Sequence, residues 1–383
     1  MINRCEMKEL GLYLHIPFCV KKCDYCDFLS FVLDRKSQSL YVQALVHEIK
    51  SHQDKFTDYR VKTIFLGGGT PSVLNGEEIK EIFRVLYQVF AVGKEAEITM
   101  EVNPESAGYG DMLLWREAGV NRLSIGLQSA EDAELKLMGR VHDYGQFLKA
   151  YDHARKAGFT NINVDIISGL PKQTLKRYKK TLEQLVALKP EHISAYALLV
   201  EEETPYGKKY GMSGDFVGDL PDEETDRLLY AYTKEMLQQS GYVRYEISNY
   251  AKAGYVCRHN LGYWNRTAYL GLGLGASSFL DNVRFRQTSD FDAYIQMKFD
   301  RQGEEILTCQ SQMEEFMYLG LRKIQGVSMQ AFETYFGKEL LQVYGKQIKR
   351  LEKLGLLEMS GGQIRLTAYG IDISNCVLAE FLL

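Results

Sequence analysis

From residue 11 to about residue 200 the chain alternates short apolar, β-branched runs with longer stretches of helical periodicity. The runs are Gly11 to Ile16, Val61 to Leu66, Glu97 to Val102, Asn121 to Leu127, Asn161 to Ile167 and His192 to Leu199. Between them, Tyr41, Leu45 and Ile49 share one helical face, as do Ile79, Ile82, Phe83 and Leu86. Six β/α units in series predict an α/β fold whose parallel sheet is covered by helices. Periodicity alone does not choose between an open, doubly wound sheet and a curved, barrel-like one. In both, functional groups gather at the C-terminal ends of the strands. The distinctive residues fall there: Gly67-Gly68-Gly69-Thr70-Pro71, Glu101 and Asn103, Gln128, and Asp165 within the fifth run.

Beyond residue 200 the pattern changes. Residues 201–221 read as a loop rich in Glu and Gly, and Asp222 to Ser240 reads as a helix. Gly241 to Asp300 carries many aromatics and short glycine steps. The remainder predicts helices around Met313 to Lys323, Ser328 to Phe336 and Glu339 to Leu354, then a hairpin turning at Gly361-Gly362, which resembles a small winged-helix unit. Such units often bind DNA, yet from Arg301 onward there are nine Lys or Arg against ten Asp or Glu. That balance favours packing or docking over phosphate contacts.

Composition narrows the class. With 383 residues, 45% hydrophobic and 25% charged, the chain is an ordinary globular protein. A net charge of -4 provides no basic field for nucleic acid. Met1 to Leu10 is polar, and no stretch approaches membrane-spanning length, so the expected setting is cytoplasmic. Seven cysteines fit reduced thiols and a metal site better than a disulfide framework. The oligomeric state is left open, a homodimer included.

Chemistry concentrates in Cys19, Cys23 and Cys26, spaced C-x3-C-x2-C. Three thiolates on one short loop point to a metal site with an open position. The other cysteines, Cys5, Cys257, Cys309 and Cys376, are scattered singly and form no second half-site. Spacing alone leaves iron-sulfur and zinc both open, with His15 or Asp27 as fourth ligand in the zinc case. The Gly67 to Pro71 segment reads equally as a tight β-to-α turn or as a place where backbone groups approach a ligand. Cys257 reads as a buried thiol, and His15 as a residue orienting the cysteine loop by a hydrogen bond.

The motifs together resemble a known family. Tyr-x-His-Ile-Pro-Phe before the cysteines, then Gly-Gly-Gly-Thr-Pro, Glu-x-Asn-Pro-Glu, Gly-Leu-Gln-Ser and Asp-x-Ile-x-Gly-Leu-Pro, resemble the HemN/HemW branch of the radical SAM enzymes. The resemblance implies a partial (β/α)6 barrel of the TIM type with a small C-terminal α+β, winged-helix-like domain. Its divisions would be a barrel over 1–221, a completing segment over 222–303 and the C-terminal unit over 304–383. It implies a 4Fe-4S cluster on Cys19, Cys23 and Cys26, with S-adenosylmethionine on the open iron, cleaved there by one electron to methionine and a 5'-deoxyadenosyl radical. Tyr13 and Tyr25 would border the adenosylmethionine, Gly68, Gly69 and Thr70 would meet its amino acid portion, and Glu101 would hydrogen-bond to it. Gln128, Arg140 and Asp165 match positions that hold a second adenosylmethionine in HemN relatives.

Two features bear on function. Members that decarboxylate coproporphyrinogen III carry a further cysteine where this chain has Phe28, and a longer N-terminal extension where only twelve residues precede Tyr13. Arg258-His259-Asn260-Leu261-Gly262-Tyr263-Trp264 matches the H-N-x-x-Y-W signature of heme chaperones in that branch. The resemblance therefore implies a heme-binding protein that delivers heme to apo-hemoproteins, with His259 as heme ligand. Radical turnover is left open, and an oxygen-independent coproporphyrinogen III dehydrogenase is the alternative.

Overall fold

A computed structural model describes residues 7–383, so Cys5 and most of the N-terminal reading lie outside the described residues. The first part runs β1 (Lys8–Ile16), α1 (Arg35–Ser51), β2 (Tyr59–Gly68), α2 (Gly76–Val89), β3 (Val92–Val102), α3 (Tyr109–Glu117), β4 (Arg122–Gln128), α4 (Asp132–Leu137), α5 (Tyr144–Lys156), β5 (Ile162–Ser168), α6 (Leu175–Ala187) and β6 (His192–Ala197). Each of the six strands pairs in parallel with the next. All six predicted runs are strands. Helix starts are locally encoded: Asn75 with Glu78, and Asp143 with Gln146, close capping boxes on α2 and α5.

Along each strand side chains alternate faces. On β4, Leu123, Ile125 and Leu127 are fully buried beneath the helices, while Arg122, Ser124 and Gly126 take the other face. On β5, Ile162, Val164 and Ile166 alternate with Asn163 and Asp165. The polar face turns inward on itself. Tyr13, Phe65, Glu101, Ser124, Asp165 and Tyr196, one residue from each strand, line a single cavity of about 180 Å³. The sheet is thus curved into a partial barrel, with an apolar layer outside and a polar lumen.

The barrel does not close. The segment after β6 continues as α7 (Pro205–Tyr210), α8 (Glu223–Gln239), β7 (Val243–Arg244), β8 (Asn249–Ala251), α9 (Arg258–Trp264), β9 (Tyr269–Leu272), β10 (Ser277–Leu280), β11 (Val283–Gln287), α10 (Phe291–Ile295) and β12 (Arg301–Ile306). β9 adds in parallel to β1 and β8 adds antiparallel to β6, making a sheet of 12 strands. One expectation is corrected here. Residues 201–221 are not all loop, because Thr204 caps α7 with Pro205 in its first turn. The boundary at 303/304 falls inside β12, a polar edge strand whose sequence carries no apolar alternation.

The C-terminal unit follows as α11 (Cys309–Gly320), β13 (Val327–Ser328), α12 (Met329–Phe336), α13 (Leu340–Lys353), β14 (Leu357–Ser360), β15 (Gln363–Leu366), α14 (Ala368–Asp372) and α15 (Ser374–Ala379). It has its own core around Phe332, Tyr344, Ile348 and Leu351. The β14–β15 hairpin turns at Gly361-Gly362, as the sequence predicts. Buried Glu315 on α11 ties this unit to the larger sheet, accepting from Arg266 at 3.1 Å and from Arg284 at 2.5 Å. Among the described residues no helix is long and apolar enough to cross a membrane.

Candidate functional site

The cysteine loop leaves the C-terminal end of β1 and is pinned from several sides. His15 donates from Nε2 to the Leu29 carbonyl at 2.9 Å, which leaves Nδ1 to accept from the Tyr13 hydroxyl at 3.0 Å. His15 therefore orients the loop, as expected. The Asp24 N–H donates to Met138 O at 3.1 Å, and the Asp24 carbonyl accepts from the Tyr206 N–H at 2.9 Å, which docks α7 on the loop. Tyr25 meets Tyr206 edge-on at 6.2 Å.

The glycine triplet after β2 is the loop's seat. Gly68 has φ +114°, and a side chain there would meet the His15 ring at 2.6 Å. A Cβ on Gly69 would lie 2.7 Å from the Phe18 carbonyl oxygen. The small size of Gly68 serves contact with His15, and that of Gly69 contact with Phe18, where the cysteine loop begins. A carboxylate oxygen of Glu101 accepts from the Gly68 N–H at 3.2 Å.

Cys19, Cys23 and Cys26 are half-buried free thiols. Burial raises the Cys19 thiol and pushes that of Cys26 up to about 11. Among the described residues no three His, Cys, Asp or Glu converge closely enough to hold one ion.

Two of the thiols are joined by a belt of hydrogen bonds that sequence reasoning missed. Thr70 Oγ1 donates to Cys19 Sγ at 3.4 Å and accepts from Asn103 Nδ2 at 2.9 Å. Asn103 Oδ1 accepts from Arg140 Nη2 at 2.8 Å, and Arg140 Nη1 donates to Cys23 Sγ at 3.6 Å. Arg140 also donates to Gly126 O at 3.1 Å. The structure thus gives Arg140 to the cysteine loop, and only its buried Nε stays unpaired. Donors to thiolate sulfur favour the more negative, reduced state of a bound cluster. Asn103→Ala should therefore lower the reduction potential of a reconstituted cluster while leaving its iron content near that of the parent. Redox titration followed by electron paramagnetic resonance checks this, and an unchanged potential would remove the belt's electronic role.

Deeper in the lumen, Glu101 is pushed up to about 8 by burial and then by the negative charge of Asp165. Asp165 accepts from Ser124 at 3.0 Å and Asn163 at 2.9 Å, and burial raises it too. Gln128, at the end of β4, holds a left-handed φ of 67°, a strain seen mostly where surroundings over-determine the backbone. Tyr13, Glu101 and Asp165 thus share the lumen, while Thr70, Arg140 and Tyr25 stand with the cysteines.

The H-N-x-x-Y-W segment forms α9, whose first N–H groups are capped across the lumen by Glu97. Its carboxylate accepts from the N–H groups of Arg258 at 3.0 Å and His259 at 3.1 Å. Cys257 is buried, donating to Glu97 at 3.6 Å, as expected of a structural thiol. His259 is 3% exposed and hydrogen-bonded through both ring nitrogens, Nδ1 to Thr63 at 2.8 Å and Nε2 to Tyr263 at 2.9 Å. Burial, then the nearby Arg122 charge, holds its pKa down at about 3. As it stands both ring nitrogens are engaged, so meeting heme iron would require one of these hydrogen bonds to open. Tyr263 and Tyr13 line both the lumen and a second cavity of about 440 Å³, walled by Trp264, Tyr269 and Phe279 with Arg266 and Arg284 on Glu315.

The radical SAM superfamily profile matches residues 13–185, and that of the HemN C-terminal domain matches 307–373. "Heme chaperone HemW" of Lactococcus lactis is 34% identical over 98% of both chains, and that of Bacillus subtilis 35% over 97% of this chain and 98% of its own. The chain belongs to the HemW family. The HemW of Escherichia coli is 32% identical over 98% of this chain and 99% of its own. The solved structure titled coproporphyrinogen III oxidase (HemN) from Escherichia coli superposes with a TM-score of 0.86, at 25% identity, over 99% of this chain and 91% of that one. Membership of the radical SAM superfamily implies a 4Fe-4S cluster and S-adenosylmethionine. The donor set fits both: three soft thiols, two of them under a belt of donors, the unpaired Arg140 Nε, and carboxyls in the lumen for ribose hydroxyls or an ammonium.

Proposed function

We propose that the chain carries heme in the outer cavity beside α9 and passes it to an apo-hemoprotein in a reducing, cytoplasmic setting. The cavity itself carries this reading. Its aromatic walls suit the faces of a flat macrocycle, and its arginines suit propionates, in a volume within the usual range of ligand sites. The HemW relatives bear the name of that activity.

In the same reading the cluster sits on Cys19, Cys23 and Cys26. S-adenosylmethionine lies between Tyr13, Tyr25, Gly68, Gly69 and Glu101, with Gln128 and Asp165 further along the lumen. When bound, the cluster and adenosylmethionine supply one-electron chemistry. The protein's own residues orient them: Thr70 and Arg140 hold the thiolates, Glu101 fixes the Gly68 backbone, and the tyrosines restrict water.

Titration of ferric heme into anaerobically reconstituted protein, followed at the Soret band, tests the proposal. Saturable binding near one heme per chain is expected, weakened at least tenfold in Trp264→Ala, with transfer to an added apo-hemoprotein. No saturable binding, together with anaerobic consumption of coproporphyrinogen III, would overturn it in favour of the dehydrogenase.

A further inference from the structure

We infer that the protein ligand to the carried heme iron is the phenol oxygen of Tyr263, with His259 acting as its hydrogen-bond partner. This rests on the heme-carrier reading above and concerns only which atom meets the iron.

Access separates the two side chains. His259 is held at every polar atom: by Thr63 on Nδ1, by Tyr263 on Nε2, and by Glu97 on its backbone N–H. Its ring also stacks on Phe65 at 5.2 Å. It lines the lumen but not the outer cavity, whereas Tyr263 lines both. Bringing His259 to heme would break its ring hydrogen bonds. Tyr263 is itself part of the outer cavity's wall. It is half-buried, steadied edge-on by Tyr269 at 4.8 Å, and already bonded to the imidazole.

The chemistry balances without an electron. The phenol O–H bond breaks, an Fe–O bond forms to ferric iron, and the proton leaves to solvent through the outer cavity. A neutral His259 that carries its proton on Nε2 donates to the resulting phenolate, and the Thr63 hydroxyl donates to Nδ1, so no imidazolium is buried. Tyrosinate is an established axial ligand type for heme iron. A hard, anionic oxygen favours ferric over ferrous iron, so reduction should loosen the heme and assist its release.

Resonance Raman and absorption spectra of the ferric complex decide the ligand in the parent protein before any substitution is made. Iron-bound tyrosinate modes are expected in the parent, lost in Tyr263→Phe with at least tenfold weaker binding, and retained in His259→Gln. Imidazole-ligated spectra that persist in Tyr263→Phe and vanish in His259→Gln would overturn the assignment and make His259 the ligand. Far-UV circular dichroism and iron content of each variant separate ligand loss from misfolding. If the parent binds no heme, the carrier reading itself fails, and this assignment with it.

Discussion

Gly69→Ala should unseat the cysteine loop. The added Cβ would lie 2.7 Å from the Phe18 carbonyl oxygen and 2.9 Å from the Phe18 N, both backbone atoms one residue before Cys19. Flexible side chains yield to such overlap, but Phe18 cannot. It is fully buried, packed edge-on against Tyr41 at 5.1 Å, and the Cys19 N–H is tied to Phe31 O at 3.0 Å. The strand end must move instead, and with it the Gly69 N–H bond to Ile16 O at 2.9 Å. Overpacking of this kind costs about 1–3 kcal/mol, and a rigid neighbour puts the change at the upper end. Chemical unfolding of the variant should show that loss, and reconstitution should leave it with far less iron than the parent. Parent-like iron content in a destabilised Gly69→Ala would mean that the triplet supports the strand end and not the loop.

The six parallel strands were legible from periodicity, but the choice of a barrel over an open sheet came only with the family resemblance. The structure shows what decides it: Leu-Ser-Ile-Gly-Leu-Gln on β4 and Ile-Asn-Val-Asp-Ile on β5 put apolar residues outside and polar ones inside. The three cysteines and the glycine triplet were legible because both are local in sequence. What stayed hidden depends on distant partners. Nothing in the order of residues says that Thr70, Asn103 and Arg140 link two thiols, since the belt spans β2, β3 and the turn after α4. The engagement of His259 was hidden for the same reason. An imidazole is an able ligand by type, and only packing shows its nitrogens engaged by Thr63, 196 residues away, and by Tyr263. β12 was missed because an edge strand on a large sheet needs no apolar alternation. α7 could have been found from Thr204-Pro205 and the tyrosines at 206 and 210, one turn apart.

Glu101→Gln should stabilise the ligand-free protein at neutral pH and remove the alkaline limb of its stability profile. Glu101 titrates near 8 when folded against an ordinary 4.5. Between those values the folded chain keeps a proton that the unfolded chain has released, so stability falls as pH rises across that window. The loss reaches about 3 kcal/mol at pH 7 if the whole difference is expressed. A glutamine keeps an oxygen for the Gly68 N–H without that loss. His259 has the opposite sign. Its folded value of about 3 lies below the ordinary 6.5, so the stability linked to its neutral form is present above 6.5 and is lost as pH falls toward 3. Ligand-free protein should therefore be most stable near the overlap of the two limbs, at about pH 5–6 by this linkage. A cationic ligand beside Glu101 favours its carboxylate and weakens the alkaline limb. Saturating S-adenosylmethionine should flatten the profile above pH 6 in the parent and do nothing there in Glu101→Gln. Urea unfolding at several pH values, with and without the ligand, measures both. An alkaline limb that survives in Glu101→Gln would place the titrating group elsewhere, with Asp165 the next candidate because burial raises it in the same lumen.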